Sequence, residues 1–310
     1  MDKTVLENVW IPMRRANLSP ETFKTVNSVL GKIQQLPLSV RRIIDMASDA
    51  DIGARELAEA VSSDPVMSSK ILMMVNSSYY GLNRKIDNLR LAIVLLGFNE
   101  VRNIALQYTL RKVLPSSIDN NIYSTRNLWM HSYLVSVCAE HLLNDDDPEN
   151  RGAIMSMGIL HDIGKFALYA IGQMFLEKGR ALTPNGGTFS SEGLTRAEEK
   201  LFGVNHAIVG AMLAEKWNLS ERIQSVIEMH HYPIYYGFNE IPPEHVREIT
   251  IICLSDLIVN RWMHGDGSVN APRKIFFDLL NLPPSIDSIM DDDLCGKMDD
   301  AIDFLRHLDT

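Results

Sequence analysis

The sequence predicts an all-α protein, a multi-helix bundle with an N-terminal helical subdomain and a C-terminal helical core. Three observations predict this. Apolar residues recur at helical spacing in segment after segment of the 310-residue chain, and no stretch shows the sustained alternation typical of a half-buried strand. Start and stop signals also punctuate the chain, as where Asp64-Pro65 opens one helix and Gly97 ends another.

The N-terminal half is predicted to form short helices. Residues 1–35 are amphipathic, and Pro37 then interrupts the pattern because proline disfavours a helical conformation at the preceding residue. Asp87 is expected to cap the helix that Gly97 ends, and Asn99 to cap the helix after it. The later helices of this half are predicted at residues 40–47, 54–61, 66–75, 88–96 and 100–111.

A polar linker at 115–125 is the candidate domain boundary. Residues 179–194 are rich in Gly, Ser and Thr and are predicted to form a loop. Thr195-x-x-Glu198 matches a capping box and is predicted to start the helix that follows this loop. The predicted units are an N-terminal subdomain at 1–114, a helical core at 126–262 and an acidic helical tail at 263–310. The remaining helices are predicted at residues 128–143, 153–169, 207–217, 221–230, 248–262, 273–281 and 293–307.

Composition narrows the class of function. Apolar residues make up 46% of the chain and charged residues 22%, which is ordinary for a globular protein. The net charge of −9 argues against broad non-specific binding to nucleic acid or to an anionic membrane. Three scattered cysteines form no CxxC motif and suit a reducing, cytoplasmic setting. The most apolar run, 249–259, is too short to span a bilayer, so no membrane segment is predicted.

Imidazole and carboxylate groups lie in apolar or helix-terminal settings between residues 131 and 256. The central feature is the pair His161-Asp162, because a buried aspartate is costly unless it is paired or bound to a metal. Adjacent residues of a helix point about 100° apart, so this pair suits a helix end or a bridging carboxylate, and Gly164 would permit the irregularity. The candidate metal ligands are His131, His161, Asp162, His206, His230, His231 and Asp256.

Each candidate has an ordinary structural explanation when it is taken alone. His131 could be a hydrogen-bonded core histidine, Asp256 could pair with a buried Arg or Lys, and His230-His231 could mark a helix end. Together, seven such groups are too many for one tetrahedral zinc and predict two divalent transition-metal ions bridged by a carboxylate. Iron or manganese is expected first, with zinc or nickel as alternatives, and calcium is disfavoured.

The order of these seven residues resembles the HD superfamily of metal-dependent phosphohydrolases, and in particular its HD-GYP branch, which cleaves cyclic di-GMP. The resemblance implies that Asp162 is the bridging carboxylate and that Lys165 meets a substrate phosphate, so both are candidate catalytic residues. Lys165 could equally be a solvated lysine at a helix end. No GYP motif follows the histidine doublet, which counts against cyclic di-GMP cleavage. Asn127 stands where trinuclear members carry an acid, which counts against a third metal.

A closer resemblance, over roughly residues 28–262, is to HDOD, the HD-related output domain. It implies a helical bacterial signal-transduction protein with an HD-type helical core. Many HDOD proteins have lost metal ligands, whereas this chain retains the set. The resemblance is carried by Leu36-Pro37, Asp64-Pro65, Val75-Asn76-Ser77, Tyr79-Tyr80-Gly81, Ala92-Ile93, Leu95-Leu96-Gly97, Trp129, His131-Ser132, Trp217 and His230-His231-Tyr232-Pro233.

Three functions are therefore considered. The first is a signal-transduction output protein with a retained dinuclear metal site. The second is a metal-dependent phosphohydrolase acting on a nucleotide or cyclic dinucleotide. The third is a nucleic-acid-binding or protein-docking module, because seven basic and only two acidic residues lie between 66 and 112. The expected partner is a signalling protein or a small phosphorylated ligand, with nucleic acid disfavoured and no membrane partner. The sequence predicts no oligomeric state.

Overall fold

The computed structural model describes residues 11–45, 61–76, 84–114, 125–143, 148–177, 191–265 and 272–308, together with residues 57, 59, 80 and 82. Every regular element in these residues is a helix, which confirms the all-α prediction. The predicted linker at 115–125 and most of the predicted helix at 54–61 lie outside the described residues.

The N-terminal half forms five helices within the described residues. Two of them carry the predicted end signals: Asp64 Oδ1 accepts hydrogen bonds from the amides of Val66 and Met67, at 3.0 and 3.2 Å, and Gly97 ends a helix with φ +87°. These helices are α1 (Pro20–Leu30), α2 (Leu38–Asp45), α3 (Pro65–Val75), α4 (Leu89–Leu96) and α5 (Phe98–Val113).

Two predicted caps in this half are wrong. Asn88, not Asp87, caps α4, because its Oδ1 accepts the Leu91 amide hydrogen at 3.0 Å. Helix α5 begins at Phe98 directly after Gly97, so Asn99 lies within the first turn and does not cap it. The first error arises because Asp87 and Asn88 are neighbours with about equal capping ability, and the second because α5 follows Gly97 without a side-chain cap.

The C-terminal half contains eleven helices within the described residues. The predicted single helix at 153–169 is wrong, since the chain breaks at His161-Asp162 into two helices. The helices are α6 (Thr125–Leu143), α7 (Pro148–Leu160), α8 (Ile163–Glu177), α9 (Ser191–Phe202), α10 (His206–Lys216), α11 (Glu221–Met229), α12 (Tyr232–Tyr235), α13 (Val246–His264), α14 (Lys274–Leu280), α15 (Ile286–Ile289) and α16 (Asp292–Leu308).

The core lies where the longest helices meet. Helix α6 packs against α7, α13 and α16, while α8 packs against α10, and α11 covers α10. The N-terminal half is joined to this core by α1, which packs on α8 and α10, and by α5, which packs on α7. Trp217, buried after α10, donates its indole hydrogen to Gln34 O at 3.0 Å. One continuous apolar cluster therefore runs through both halves of the described chain.

Residues Asn150–Gly172 are long and apolar enough, judged by length and composition alone, to cross a membrane. In the fold they comprise most of α7, the break at His161-Asp162 and the start of α8. Because 89% of its apolar 18-residue window is buried by the surrounding helices, its apolar character is explained by its central position in the bundle.

Candidate metal centre

The seven predicted ligands come together in one buried cluster. None of them is more than 7% exposed, although they come from five separate places in the sequence. Helices α6 and α13 supply His131 and Asp256 from their interiors, and the other five stand at helix ends.

His161 and Asp162 lie between two helices, so the 100° separation of adjacent side chains within one helix does not apply to them. The amide of His161 still donates to Met157 O at 2.8 Å and completes the last turn of α7. Asp162 O then accepts the Lys165 amide hydrogen at 3.0 Å and starts α8. The helix is interrupted at these two residues, and both side chains reach the same cluster. His230 and His231 repeat this arrangement between α11 and α12.

Asp162 lies between two groups of histidines. Its Oδ1 is 3.3 Å from His206 Nε2 and 3.9 Å from His230 Nε2. Its Oδ2 is 3.5 Å from His131 Nε2 and 3.4 Å from His161 Nε2. Each carboxylate oxygen therefore faces a different group, which is the arrangement expected of a carboxylate that bridges two ions.

Each group is compact enough to hold one ion. The ligand atoms of His206, His230 and His231 lie within 4.8 Å of one another, and the same holds for His131, His161 and Asp162. Asp256 adds to the second group, with its Oδ1 3.0 Å from His131 Nε2 and 3.9 Å from His161 Nε2.

Hydrogen bonds to the outer ring nitrogens determine which nitrogen can bind a metal. The Nδ1 atoms of His161 and His230 contact the backbone oxygens of Gly158 and Ile227 at 2.7 and 2.8 Å. Because a carbonyl oxygen only accepts, both Nδ1 atoms carry the hydrogen. When these rings are neutral, their Nε2 atoms present lone pairs to the cluster.

Burial favours the neutral form of His230 and His231. It lowers the pKa of His230 well below its usual value, and His231 adds to the effect. Burial likewise lowers the pKa of His231 to about 3, helped by His206. Neutral imidazole is the form that binds a metal ion.

Besides His131 Nε2, three buried atoms at the centre of the cluster lack hydrogen-bond partners among the described residues: His161 Nε2, Asp162 Oδ1 and His230 Nε2. Leaving one buried polar atom unsatisfied costs about 1–3 kcal/mol. Divalent cations bound between the two groups would satisfy all three atoms, and imidazole with carboxylate is a donor set that first-row transition metals prefer. The residues present therefore fit a metal centre.

Lys165, the predicted phosphate contact, stands at the edge of the cluster in the first turn of α8. Its side chain is 13% exposed and its Nζ contacts Asp162 Oδ2. Burial works against the ammonium charge, but the carboxylates of Asp162 and Asp256 outweigh it and raise the pKa of Lys165. A positive charge is therefore held beside the candidate ligands.

Glu198 is a site residue that the sequence reasoning assigned wrongly. Helix α9 begins at Ser191, within the predicted loop, so Thr195 and Glu198 lie inside the helix and form no capping box. The Glu198 carboxylate instead contacts His206 Nδ1 at 2.7 Å and accepts the His206 amide hydrogen at 3.0 Å. Burial works against its charge, but His206 outweighs this and lowers the pKa of Glu198. Glu198 thus orients His206 with Nε2 toward Asp162.

Asn260 plays a similar part for Asp256 and was not predicted. Its Nδ2 donates to Asp256 Oδ1 at 2.6 Å from the next turn of α13. An asparagine four residues after a buried aspartate on one helix face was the available signal, because side chains at this spacing meet.

Gly164 serves a steric role and not the local irregularity that the sequence suggested. It lies inside α8, where a Cβ would be 1.8 Å from His206 O and 2.5 Å from Gly210 N. The missing side chain lets α8 and α10 approach closely, and this approach brings His206 to Asp162.

This chain is similar to known proteins in sequence and in fold. The model of the HDOD domain family matches residues 33–233, more than half of the chain. The crystal structure of a candidate signal transduction protein from Marinobacter aquaeolei VT8 is similar with a TM-score of 0.72 and 17% identity, over 95% of this chain and 67% of that one. That of a candidate phosphohydrolase from Shewanella amazonensis SB2B has a TM-score of 0.60 and 18% identity, over 92% and 98%.

A sequence relative is longer than this chain. An uncharacterized protein of Treponema pallidum (strain Nichols) is 23% identical over 278 residues, which are 86% of this chain and 49% of that protein. The chain thus spans about half the length of this curated relative. The similarities to solved structures show the fold, and the match to the family model shows the family. On this evidence the chain belongs to the HDOD domain family.

Proposed function

We propose that this HDOD protein binds two divalent transition-metal ions in its buried cluster and acts as a signal-transduction output protein whose fold depends on those ions. The observation that carries the proposal is the position of Asp162, whose two oxygens face two histidine groups with unsatisfied buried atoms between them. His206, His230 and His231 would hold one ion. His131, His161 and Asp256 would hold the other, with Asp162 shared by both.

Burial favours a signalling role over open-site catalysis. The candidate ligands are at most 7% exposed, and they connect α6, α7, α10, α11 and α13. Ion binding would therefore link five helices, so that occupancy changes the stability of the whole core. The missing GYP motif agrees with this choice. When bound, the ions would neutralise the buried carboxylates and could polarise a phosphate or a water molecule.

The first test is metal content. Protein purified without chelators or a metal-capturing tag is expected to contain about two iron or manganese ions per chain. Stripping the ions should lower the melting temperature by roughly 5–10 °C, since a ligand at 100 times its Kd contributes about 2.7 kcal/mol. Manganese or ferrous iron should restore the midpoint and calcium should not. Elemental analysis and calorimetry measure both, and a metal-free protein with no metal-dependent melting shift would contradict the proposal.

Glu198→Gln tests whether the cluster is organised for a metal. The amide keeps the size of the side chain but removes the charge that holds His206 Nδ1, so metal affinity is expected to fall about 10–100-fold. Glu199→Gln is the matched control. Glu199 is the neighbouring carboxylate, but it accepts hydrogen bonds from the Met13 amide and Asn205 Nδ2 and not from a candidate ligand. Competition with a chromophoric chelator measures both affinities. Equal affinity in the two variants would count against the assigned role of Glu198.

A metal-dependent phosphohydrolase acting on a nucleotide or cyclic dinucleotide is the second candidate. The specific observation in its favour is Lys165, which is partly exposed and holds its ammonium beside Asp162. In this position it could bind a phosphate oxygen as a point charge.

Turnover of a nucleotide panel by manganese- or iron-loaded protein tests this candidate. Lys165→Ala is expected to lower kcat/KM about 100-fold while metal content is retained, because one charged contact to the phosphate is lost. Absence of turnover in every metal form, with the site shown to be occupied, would remove the phosphohydrolase candidate and leave the metal-binding proposal intact.

A further inference from the structure

Helix α4 has a composition that its surroundings do not explain. Its sequence, LRLAIVLL, is apolar at every position except Arg90. A helix that is apolar on all sides is expected to be buried. In α4 only Ala92 and Ile93 are buried, whereas Val94 is 64% exposed.

The exposed apolar surface continues onto α3. Val66 and Met73, seven residues apart on one side of α3, are both 53% exposed, and α3 packs against α4. Of the eleven exposed large apolar side chains in the described residues, six belong to these two helices and their connection. A concentration of this kind marks an interaction site. We name it the α3–α4 face, consisting of Val66, Met73, Leu82, Leu91, Val94 and Leu95.

Exposed basic residues stand next to the α4 part of the α3–α4 face in the sequence. Arg84, Lys85 and Arg90 are exposed, and between residues 77 and 99 they are opposed in sequence by a single acid, Asp87, in a chain of net charge −9. Two other basic residues of this half are engaged elsewhere: Arg102 is buried and donates to Gly152 O at 2.6 Å, and Lys112 pairs with Asp64 at 2.8 Å.

We propose that the α3–α4 face docks an amphipathic helix of a different protein, one whose apolar stripe is bordered by carboxylates. Leu91, Val94 and Leu95 present the i, i+3, i+4 spacing that such helix-on-helix recognition uses. The basic border would pair with the carboxylates and exclude partners with a basic border. This inference goes beyond the proposed function and does not depend on the metal centre.

Charge and burial argue against three other occupants of the α3–α4 face: a second copy of the chain, helix α16 and a membrane. A symmetric dimer through this face would set the basic borders of two copies near each other. The chain's own acidic helix α16 has no matching apolar stripe to offer, because Leu294, Met298 and Leu305 are already buried. Three basic residues on a chain of net charge −9 are few for an anionic membrane surface.

The experiment is selection from a displayed library of helical peptides that share one leucine stripe and carry randomised Asp, Glu, Lys, Arg or Ser at its borders. The bait is the full chain. Enrichment of Asp and Glu at the borders is expected, and the enriched peptides should bind the variant Val94→Asp at least 10-fold more weakly by fluorescence anisotropy. Enrichment of basic borders, no enrichment, or equal binding to Val94→Asp would overturn the proposal.

Controls separate docking from misfolding. Ile275→Asp is the matched variant, because Ile275 is an exposed apolar residue (48%) on α14, a helix that packs against α13. This variant should bind the peptides as the parent chain does. Both variants should keep the parent circular dichroism and melting temperature. Binding to phosphatidylglycerol vesicles, or a dimer that Val94→Asp dissociates, would instead assign the face to a membrane or to a second copy and overturn the proposal.

Discussion

Replacing Asp162 with alanine is expected to remove both metal ions and to lower the free energy of unfolding by about 3–5 kcal/mol in the metal-free protein. Loss of the proposed ions is expected because the two oxygens of Asp162 face different histidine groups. Stability is lost because the Lys165 side chain, which is only 13% exposed, holds its ammonium beside Asp162 and would then lose the carboxylate that it contacts.

The two effects of Asp162→Ala can be separated. The double variant Asp162→Ala with Lys165→Met removes the buried charge as well, so it should regain part of the stability but no metal. Asp287→Ala is the control, because Asp287 forms an exposed ion pair with Arg261 and should cost at most about 1 kcal/mol with metal retained. Chemical unfolding and elemental analysis measure these outcomes, and full metal occupancy in Asp162→Ala would disprove the bridging role.

Gly164→Ala is expected to cost about 3 kcal/mol, at the upper end of the range for overpacked sites, and to weaken metal binding. The added Cβ would lie 1.8 Å from His206 O and 2.5 Å from Gly210 N. Both are backbone atoms, so no side chain can rotate away, and α8 must separate from α10. His206, the first residue of α10, would then move away from Asp162, and metal affinity should fall with stability.

Gly296→Ala provides the comparison for this substitution. Gly296 lies inside α16, and a Cβ there would meet nothing within 4 Å. Alanine should therefore leave stability unchanged or raise it by about 0.5–1 kcal/mol, since it restricts the unfolded chain more than glycine does. Thermal unfolding of the two variants gives the answer. A melting temperature of Gly164→Ala equal to that of the parent would show that the two helices can separate without cost.

Local sequence determined the helices and the identity of the candidate ligands. The pair Asp64-Pro65 opens α3 and Gly97 closes α4 through contacts within a few residues, so both could be predicted from neighbouring letters. The seven candidate ligands could be chosen because imidazole and carboxylate groups are unusual within apolar segments, and burial of such groups requires a partner.

Only the tertiary structure decided how those residues are used. Thr195-x-x-Glu198 matches a capping box, yet Glu198 binds His206, because α9 starts earlier and places Glu198 beside the first residue of α10. Gly164 is required by the approach of α8 to α10 and not by its own backbone angles. These roles depend on which helices become neighbours. Helical spacing shows that a face is buried, but only the packed chain determines what that face meets.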